Sequence, residues 1–266
     1  MALSSGSYCA LAQDTADTAT ASAQEDKPSA AVKNGWETAA NGKKKYYING
    51  AAVKKKVIKI GKYYYYFNKK GFLVKGKTVK INKFSYHLAN SGRIRAYNRK
   101  NKFYFPSGKA MSKAQAEDFK CRLKAEKIAE QITNSSMSKR KKLSVCFNWV
   151  MKKYYKTHRQ SCNVSYWPAV YANDHFANRG GDCHSDAAAF AYLAVAIGYK
   201  NVYVCNDSKS VSPNAHAWTE IGGKVYDPLF AQAKSYSANY GVGYGAYKLH
   251  PALKVKLDYN KKRPKK

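Results

Sequence analysis

The sequence predicts a chain in two ordered parts, a module of short β-hairpins followed by a domain that combines helices with strands. Aromatic clusters recur with a period near 20 residues between Gly42 and Ala110, as in stacked structural repeats. Apolar residues then recur at helical spacing from Leu143 to Tyr154, and an almost wholly apolar segment runs from Cys183 to Gly198. Two alternating segments, Asn214 to Ile221 and Lys224 to Pro228, flank Gly222-Gly223, a two-residue hairpin signal.

The 266 residues suffice for one sizeable core and a smaller appended module. Lys and Arg total 48 against 16 Asp and Glu, a formal charge of +32. Such a field attracts anionic polymers at long range, so a polyanionic partner is expected: a teichoic-acid-like wall polymer, an acidic glycan, nucleic acid or an anionic membrane surface. No apolar run approaches the ~20 residues that span a bilayer, so no transmembrane segment is expected.

Residues 1–33 are rich in Ala, Ser, Thr and Asp without apolar periodicity and are expected to be disordered. Ala10-Leu11-Ala12 before Gln13 has the form of a secretory cleavage site, so the segment reads as a secretory remnant and the protein as exported. Cys9, Cys121, Cys146, Cys162, Cys183 and Cys205 include no Cys-x-x-Cys pair, which disfavours zinc. In an exported protein Cys121, Cys146, Cys162 and Cys205 could pair with one another; they could equally be buried thiols.

Gly42-Lys43, Gly61-Lys62, Asn82-Lys83 and Asn101-Lys102 each open an aromatic cluster, at spacings of 19, 21 and 19. Each cluster leads to a turn glycine, Gly50, Gly71, Gly92 or Gly108, which suits short strands in tight hairpins. One hairpin alone is marginal in water, so neighbouring repeats are expected to cover each other's rings, including Tyr46, Tyr64, Phe67, Tyr86 and Phe103. On these features residues 34–110 resemble the cell-wall-binding or choline-binding repeats of Gram-positive surface proteins. The resemblance implies a module that holds the chain on a cell wall. Choline cages use Trp and Tyr faces, and the only tryptophan here is Trp36, at the margin of the repeats. From Gly42 to Ala110 there are 20 Lys or Arg and no Asp or Glu, so the module suits an anionic cell-wall polymer or acidic glycan better than a free cation. Interleaved rings and basic groups also describe single-strand binders, but no nucleic-acid motif is present and nucleic acid is disfavoured.

The second domain is expected over residues 111–260. Ser112 with Gln115 has the spacing of a capping box and opens a surface helix to about Thr133. Leu143, Cys146, Phe147, Val150, Met151 and Tyr154 mark one face of a second helix. A third, buried helix starts in GGDCHSDAAAFAYLAVAIGY, residues 180–199, with Asp182 as N-cap and Gly198 as terminator. Cys183 falls in its first turn, where unpaired backbone N–H groups and the helix dipole favour a thiolate. Gly180 and Gly181 let a substrate approach the backbone.

A strand follows over Asn201 to Cys205, then the hairpin. If Ile221 faces Lys224, Trp218 faces Asp227, and His216 is a diagonal neighbour of Asp227 on one sheet face, ~7–8 Å apart at the backbone. Cys183 is then the candidate nucleophile, His216 its acid/base partner and Asp227 the group that fixes the imidazole tautomer.

Gly181-x-Cys183, the helix closed by Gly198, His216-Ala217-Trp218 and Tyr226-Asp227-Pro228 resemble the transglutaminase-like superfamily over about residues 140–230. The resemblance implies an α+β, papain-like core in which the cysteine helix packs on an antiparallel sheet, and a thioester intermediate formed from an amide. For a second oxyanion donor, Tyr166, Trp167 and Asn173 are candidates. No cofactor is expected, and no metal either: beside Cys183, His184 and His175 would make a poor ligand set because adjacent ligands diverge. Residues 231–248 read as a loop and 261–266 as a solvated basic tail.

The expectation is a secreted, cell-surface or wall-associated cysteine enzyme acting on peptide or protein amides. Hydrolysis by a peptidase or amidase is preferred, because cross-linking needs a sheltered second site that no motif announces. A cross-linking transglutaminase is the alternative, and a catalytically silent wall- or polyanion-binding protein is the rival of another class.

Overall fold

The computed structural model describes residues 32–152, 156, 159 and 161–257. The proposed cleavage site, Cys9, Tyr154 and the basic tail lie outside the described residues. The chain is α+β, with antiparallel sheets and several β-hairpins. It divides into two compact units, one running up to Ile58 and taking in Tyr66–Val74, the other comprising Lys59–Tyr65 and the residues from Lys75 onward.

In the first unit β1 (Gly35–Thr38), β2 (Lys44–Ile48) and β3 (Ala51–Ala52) form an antiparallel sheet in that order. Trp36 packs edge-on against Tyr46 at 5.2 Å and against the buried Phe67 at 5.8 Å. β4 (Lys56–Ile60) and β5 (Tyr63–Phe67) form a two-stranded sheet. In the second unit β6 (Thr78–Ile81), β7 (Phe84–Leu88), β8 (Ile94–Arg99) and β9 (Lys102–Tyr104) join into one four-stranded sheet. Its rings cover one another as the repeat pattern requires: Tyr97 stacks on Tyr86 at 5.2 Å and on Tyr104 at 5.1 Å.

The same turn recurs four times. An N–H at Ala39, Asn68, Ala89 or Phe105 bonds the carbonyl four residues on, and a glycine N–H bonds back to the first residue's carbonyl, all at 2.8–2.9 Å. The glycines are Gly42, Gly71, Gly92 and Gly108, with φ from 73° to 95°, which a side chain would strain. Gly50 and Gly61 instead sit in two-residue turns, at φ 80° and 57°. The sequence pattern had placed Gly50 with the first group and Gly42 with Gly61.

The rest of the second unit begins with α1 (Lys113–Ile132), whose capping box is formed: Gln115 N donates to Ser112 Oγ at 3.3 Å and Ser112 N to Gln115 Oε1 at 2.9 Å. It is more than a surface helix, since Phe119, Cys121, Ala125 and Ala129 are buried. This stripe consists mostly of small residues, which a polar-rich composition conceals. α2 (Lys139–Met151) buries Leu143, Cys146, Phe147 and Val150 as the periodicity predicts. α3 (Trp167–Asn178) was not anticipated. α4 (Cys183–Ala196) is buried along nearly its whole length.

α4 packs on a five-stranded antiparallel sheet built from β10 (Val202–Asn206), β11 (Ala217–Ile221), β12 (Lys224–Tyr226), β13 (Tyr240–Val242) and β14 (Leu253–Lys256), in the order β13-β12-β11-β10-β14. Between β12 and β13 lies α5 (Pro228–Ala233), so residues 231–248 hold a helix end and a strand where a loop was expected. Phe147 joins the layers, 5.1 Å from Phe190 and 4.8 Å from Tyr240. Each large side chain so buried stabilises the fold by about 1.5–3 kcal/mol. Among the described residues Cys121, Cys146, Cys162, Cys183 and Cys205 are free thiols, and no helix is long and apolar enough to cross a membrane.

Candidate active site

Asp182 caps α4 as its sequence position predicts: Oδ1 accepts the Ser185 N–H at 2.9 Å and its carbonyl the Asp186 N–H at 2.9 Å. Cys183 is thereby fixed as the first helical residue. Its Sγ lies 3.5 Å from His184 Nδ1 and 3.7 Å from the Ala215 carbonyl. The Ala217 backbone also bonds the sulfur, so the sulfur rests against the main chain on both sides of His216.

The expectation of an acidified sulfur is reversed. Burial pushes the Cys183 thiol up to about 12, with the Asp182 and Asp227 charges adding to it, and the backbone bonds from Ala217 and His184 oppose this only in part. Desolvation of the charged form outweighs the helix start. The resting group is a neutral thiol.

The hairpin has the expected register, with Ile221 opposite Lys224 and Thr219 opposite Tyr226. His216 and Asp227 meet: His216 Nε2 lies 2.7 Å from Asp227 Oδ2. A carboxylate accepts, so Nε2 carries the hydrogen and Nδ1 keeps the lone pair. Asp227 is fully buried, whereas the His216 side chain is 14% exposed.

Sequence reasoning missed what holds this pair. Tyr247 Oη donates to Asp227 Oδ2 at 2.8 Å, and the Phe230 N–H donates to Oδ1 at 3.0 Å. Burial first, then Asp227, keeps the phenol protonated far above its ordinary range. The Phe230 ring stacks on the imidazole at 3.9 Å and 14°. Asp207 Oδ1 takes the His216 N–H at 2.8 Å, and the Asp207 N–H returns to the His216 carbonyl at 3.0 Å. A signal for α5 was present in Asp227-Pro228, an N-cap followed by proline at the first helical position. No spacing rule points to Tyr247.

Of the candidate oxyanion donors, Asn173 is turned away: its Nδ2 donates to the Glu117 carbonyl and Oε2 at 3.1 and 3.0 Å. Trp167 packs against the His184 ring at 5.9 Å. Tyr166 precedes α3 without a side-chain capping bond. His175 faces Asp186 in the core at 2.9 Å. Among the described residues no three His, Cys, Asp or Glu side chains cluster as a metal site would require.

The basic repeats use their own rings. In the first unit Lys33 lies 4.4 Å over Tyr47, and Lys43 and Lys45 lie 5.5 and 5.0 Å over Phe72. In the second, the Arg93 guanidinium sits 3.7 Å over Tyr63. These ring faces already hold cations. Within the second unit a groove is lined by Lys59, Lys62, Lys77, Arg93, Lys124 and Lys127, with Glu126 and Glu130 the acidic residues among its lining.

No family model matches the chain, nor does any curated protein. Among solved structures the similar ones include choline-binding and cell-wall-lytic proteins. The choline binding domain of Spr1274 in Streptococcus pneumoniae is 22% identical over 24% of this chain and 76% of that one, with a TM-score of 0.22. The modular Cpl-1 endolysin complexed with a peptidoglycan analogue is 26% identical over 34% of this chain and 28% of that one, with a TM-score of 0.23. The modular autolysin LytC from Streptococcus pneumoniae, in complex with a synthetic peptidoglycan ligand, is 20% identical over 30% of this chain and 25% of that one, with a TM-score of 0.16. The chain thus spans about a quarter of the length of the endolysin and of the autolysin.

Proposed function

We propose that the second domain is a cysteine acyl-transfer enzyme of transglutaminase-like type, with Cys183 as nucleophile, His216 as acid/base and Asp227 as its orienter. The observation that carries this is the His216–Asp227 bond of 2.7 Å, with Cys183 Sγ 3.7 Å from the carbonyl of Ala215, the residue before His216. As Sγ attacks an amide carbonyl carbon, its proton passes to His216 Nδ1, and the imidazolium is stabilised through Nε2 by Asp227. The proton then goes to the departing amine, leaving a thioester on Cys183. Water attacking that thioester gives a carboxylic acid and restores the thiol. The N–H at the start of α4 supplies the oxyanion donor.

Hydrolysis is the reaction we favour, and a primary amine replacing water would give cross-linking instead. Mass spectrometry of a peptide library, incubated with and without added amine, tests both: cleavage or deamidation supports the hydrolase, amine incorporation the cross-linker. An unchanged library under both conditions would contradict the enzyme reading and leave a binding protein.

The repeats are the part that holds an anionic wall polymer or acidic glycan at the cell surface, because their charge is of one sign and their ring faces carry lysine and arginine. Binding of the intact Cys183→Ala chain to a poly(glycerol phosphate) is expected to weaken steeply with salt. A contact with ~6 phosphates loses roughly 10^3-fold in affinity between about 50 and 200 mM salt. Binding that ignores salt but is displaced by choline would contradict this.

A further inference from the structure

An imidazole other than that of His216 lies against the sulfur, that of His184. His184 is nearly fully buried, with Tyr171 and Trp167 of α3 against its ring at centroid distances of 5.3 and 5.9 Å. Its Nε2 lies 3.1 Å from Asn206 Oδ1 and its Nδ1 3.5 Å from Cys183 Sγ. The Asn206 amide cannot be turned round, because Nδ2 donates to two carbonyls, Ser208 at 2.8 Å and Ser210 at 3.0 Å. Oδ1 therefore faces His184 as a pure acceptor, and Nε2 must carry a hydrogen. Burial lowers the ring's proton affinity, against the pull of Asp182, the Asn206 hydrogen bond and Asp207 and with the His216 charge acting the same way as burial. In the neutral ring Nδ1 then presents a lone pair, and it presents it to the thiol.

We infer that His184 is a positioning residue of this site: its Nδ1, at 3.5 Å and the better acceptor than the Ala215 carbonyl at 3.7 Å, takes the single Cys183 S–H in the resting protein and fixes the sulfur's rotamer before the attack. The division between the two histidines follows from their far nitrogens. His216 gives its Nε2–H to a carboxylate, whose charge compensates an imidazolium; His184 gives its Nε2–H to a neutral amide, which favours one only through its dipole. The S–H must therefore turn from His184 to His216 as the sulfur attacks, and the proton is kept as an imidazolium on His216 while His184 stays neutral. The kinetic part of this inference rests on the acyl-transfer reading, whereas the hydrogen bond does not.

Two measurements on the full chain test it. Long-range 1H–15N NMR at pH 7 is expected to show His184 as the neutral Nε2–H tautomer; an Nδ1–H tautomer or an imidazolium would overturn the inference without any variant. The infrared S–H stretch of Cys183, isolated as wild type minus Cys183→Ala, is expected to shift to higher wavenumber in His184→Phe, which keeps a ring against Trp167 and Tyr171 but removes the acceptor. In the same variant kcat is expected to fall about five- to tenfold with KM held, as for the loss of one hydrogen bond. A shifted band in a protein without turnover would sink the enzyme reading and keep the hydrogen bond. An unmoved band with normal turnover would remove His184 from the site and keep the enzyme.

Discussion

Cys183→Ala is expected to lower turnover of amide substrates on the order of 10^6-fold, because on the proposed reading the nucleophile that forms the intermediate has no substitute within its triad. The fold survives, since the Asp182 cap and the apolar body of α4 do not depend on the sulfur. Denaturation of the variant is expected within about 1 kcal/mol of wild type. The wild-type sulfur also has a telling pH dependence. Its thiol is pushed by burial to about 12, so the neutral form persists through pH 7 and alkylation by iodoacetamide in the resting protein rises with pH. On the proposed mechanism, catalysis then depends on His216 taking the proton during attack, not on a standing thiolate. Turnover retained in Cys183→Ala would move the chemistry elsewhere.

Asp227→Asn is expected to lower kcat by about 10^4-fold with little loss of stability. Asparagine can keep Oδ1 on the Phe230 N–H, which caps α5, so the helix and the stacked Phe230 ring remain. Its Nδ2 replaces Oδ2, which now accepts from both His216 Nε2 and Tyr247 Oη. An amide N–H there donates to Nε2 and forces the imidazole hydrogen onto Nδ1. That tautomer offers no lone pair for the thiol proton. The melting temperature separates this outcome from unfolding: a kcat within tenfold of wild type in a folded variant would show that tautomer control by Asp227 is not needed.

The parts legible in the sequence were those set by short-range rules. Ser112 with Gln115, Asp182 and Gly198 mark helix ends through caps and left-handed turns, and each is where it was expected. The Gly222-Gly223 hairpin fixed the register that brings His216 to Asp227, because two-residue turns leave no slack. What stayed hidden lies far apart in the chain. Tyr247 reaches Asp227 across 20 residues, and His184 reaches Asn206 across 22. Neither pair obeys a period. α1 reads as a surface helix in the sequence because its buried stripe is carried largely by Cys121, Ala125 and Ala129, residues too small to stand out by hydropathy. The state of the sulfur is hidden for a different reason: the sequence displays a helix start, whereas burial depends on everything folded around it.

Quenching the reaction with acid during turnover of a peptide amide, and mapping the protein by mass spectrometry, reads the acyl-enzyme itself. The predicted result is an acyl group on the peptide that carries Cys183, cleared on dilution into water and absent from Cys183→Ala. Turnover without any acyl-protein, or an acyl group on Cys121, Cys146, Cys162 or Cys205 instead, would contradict it.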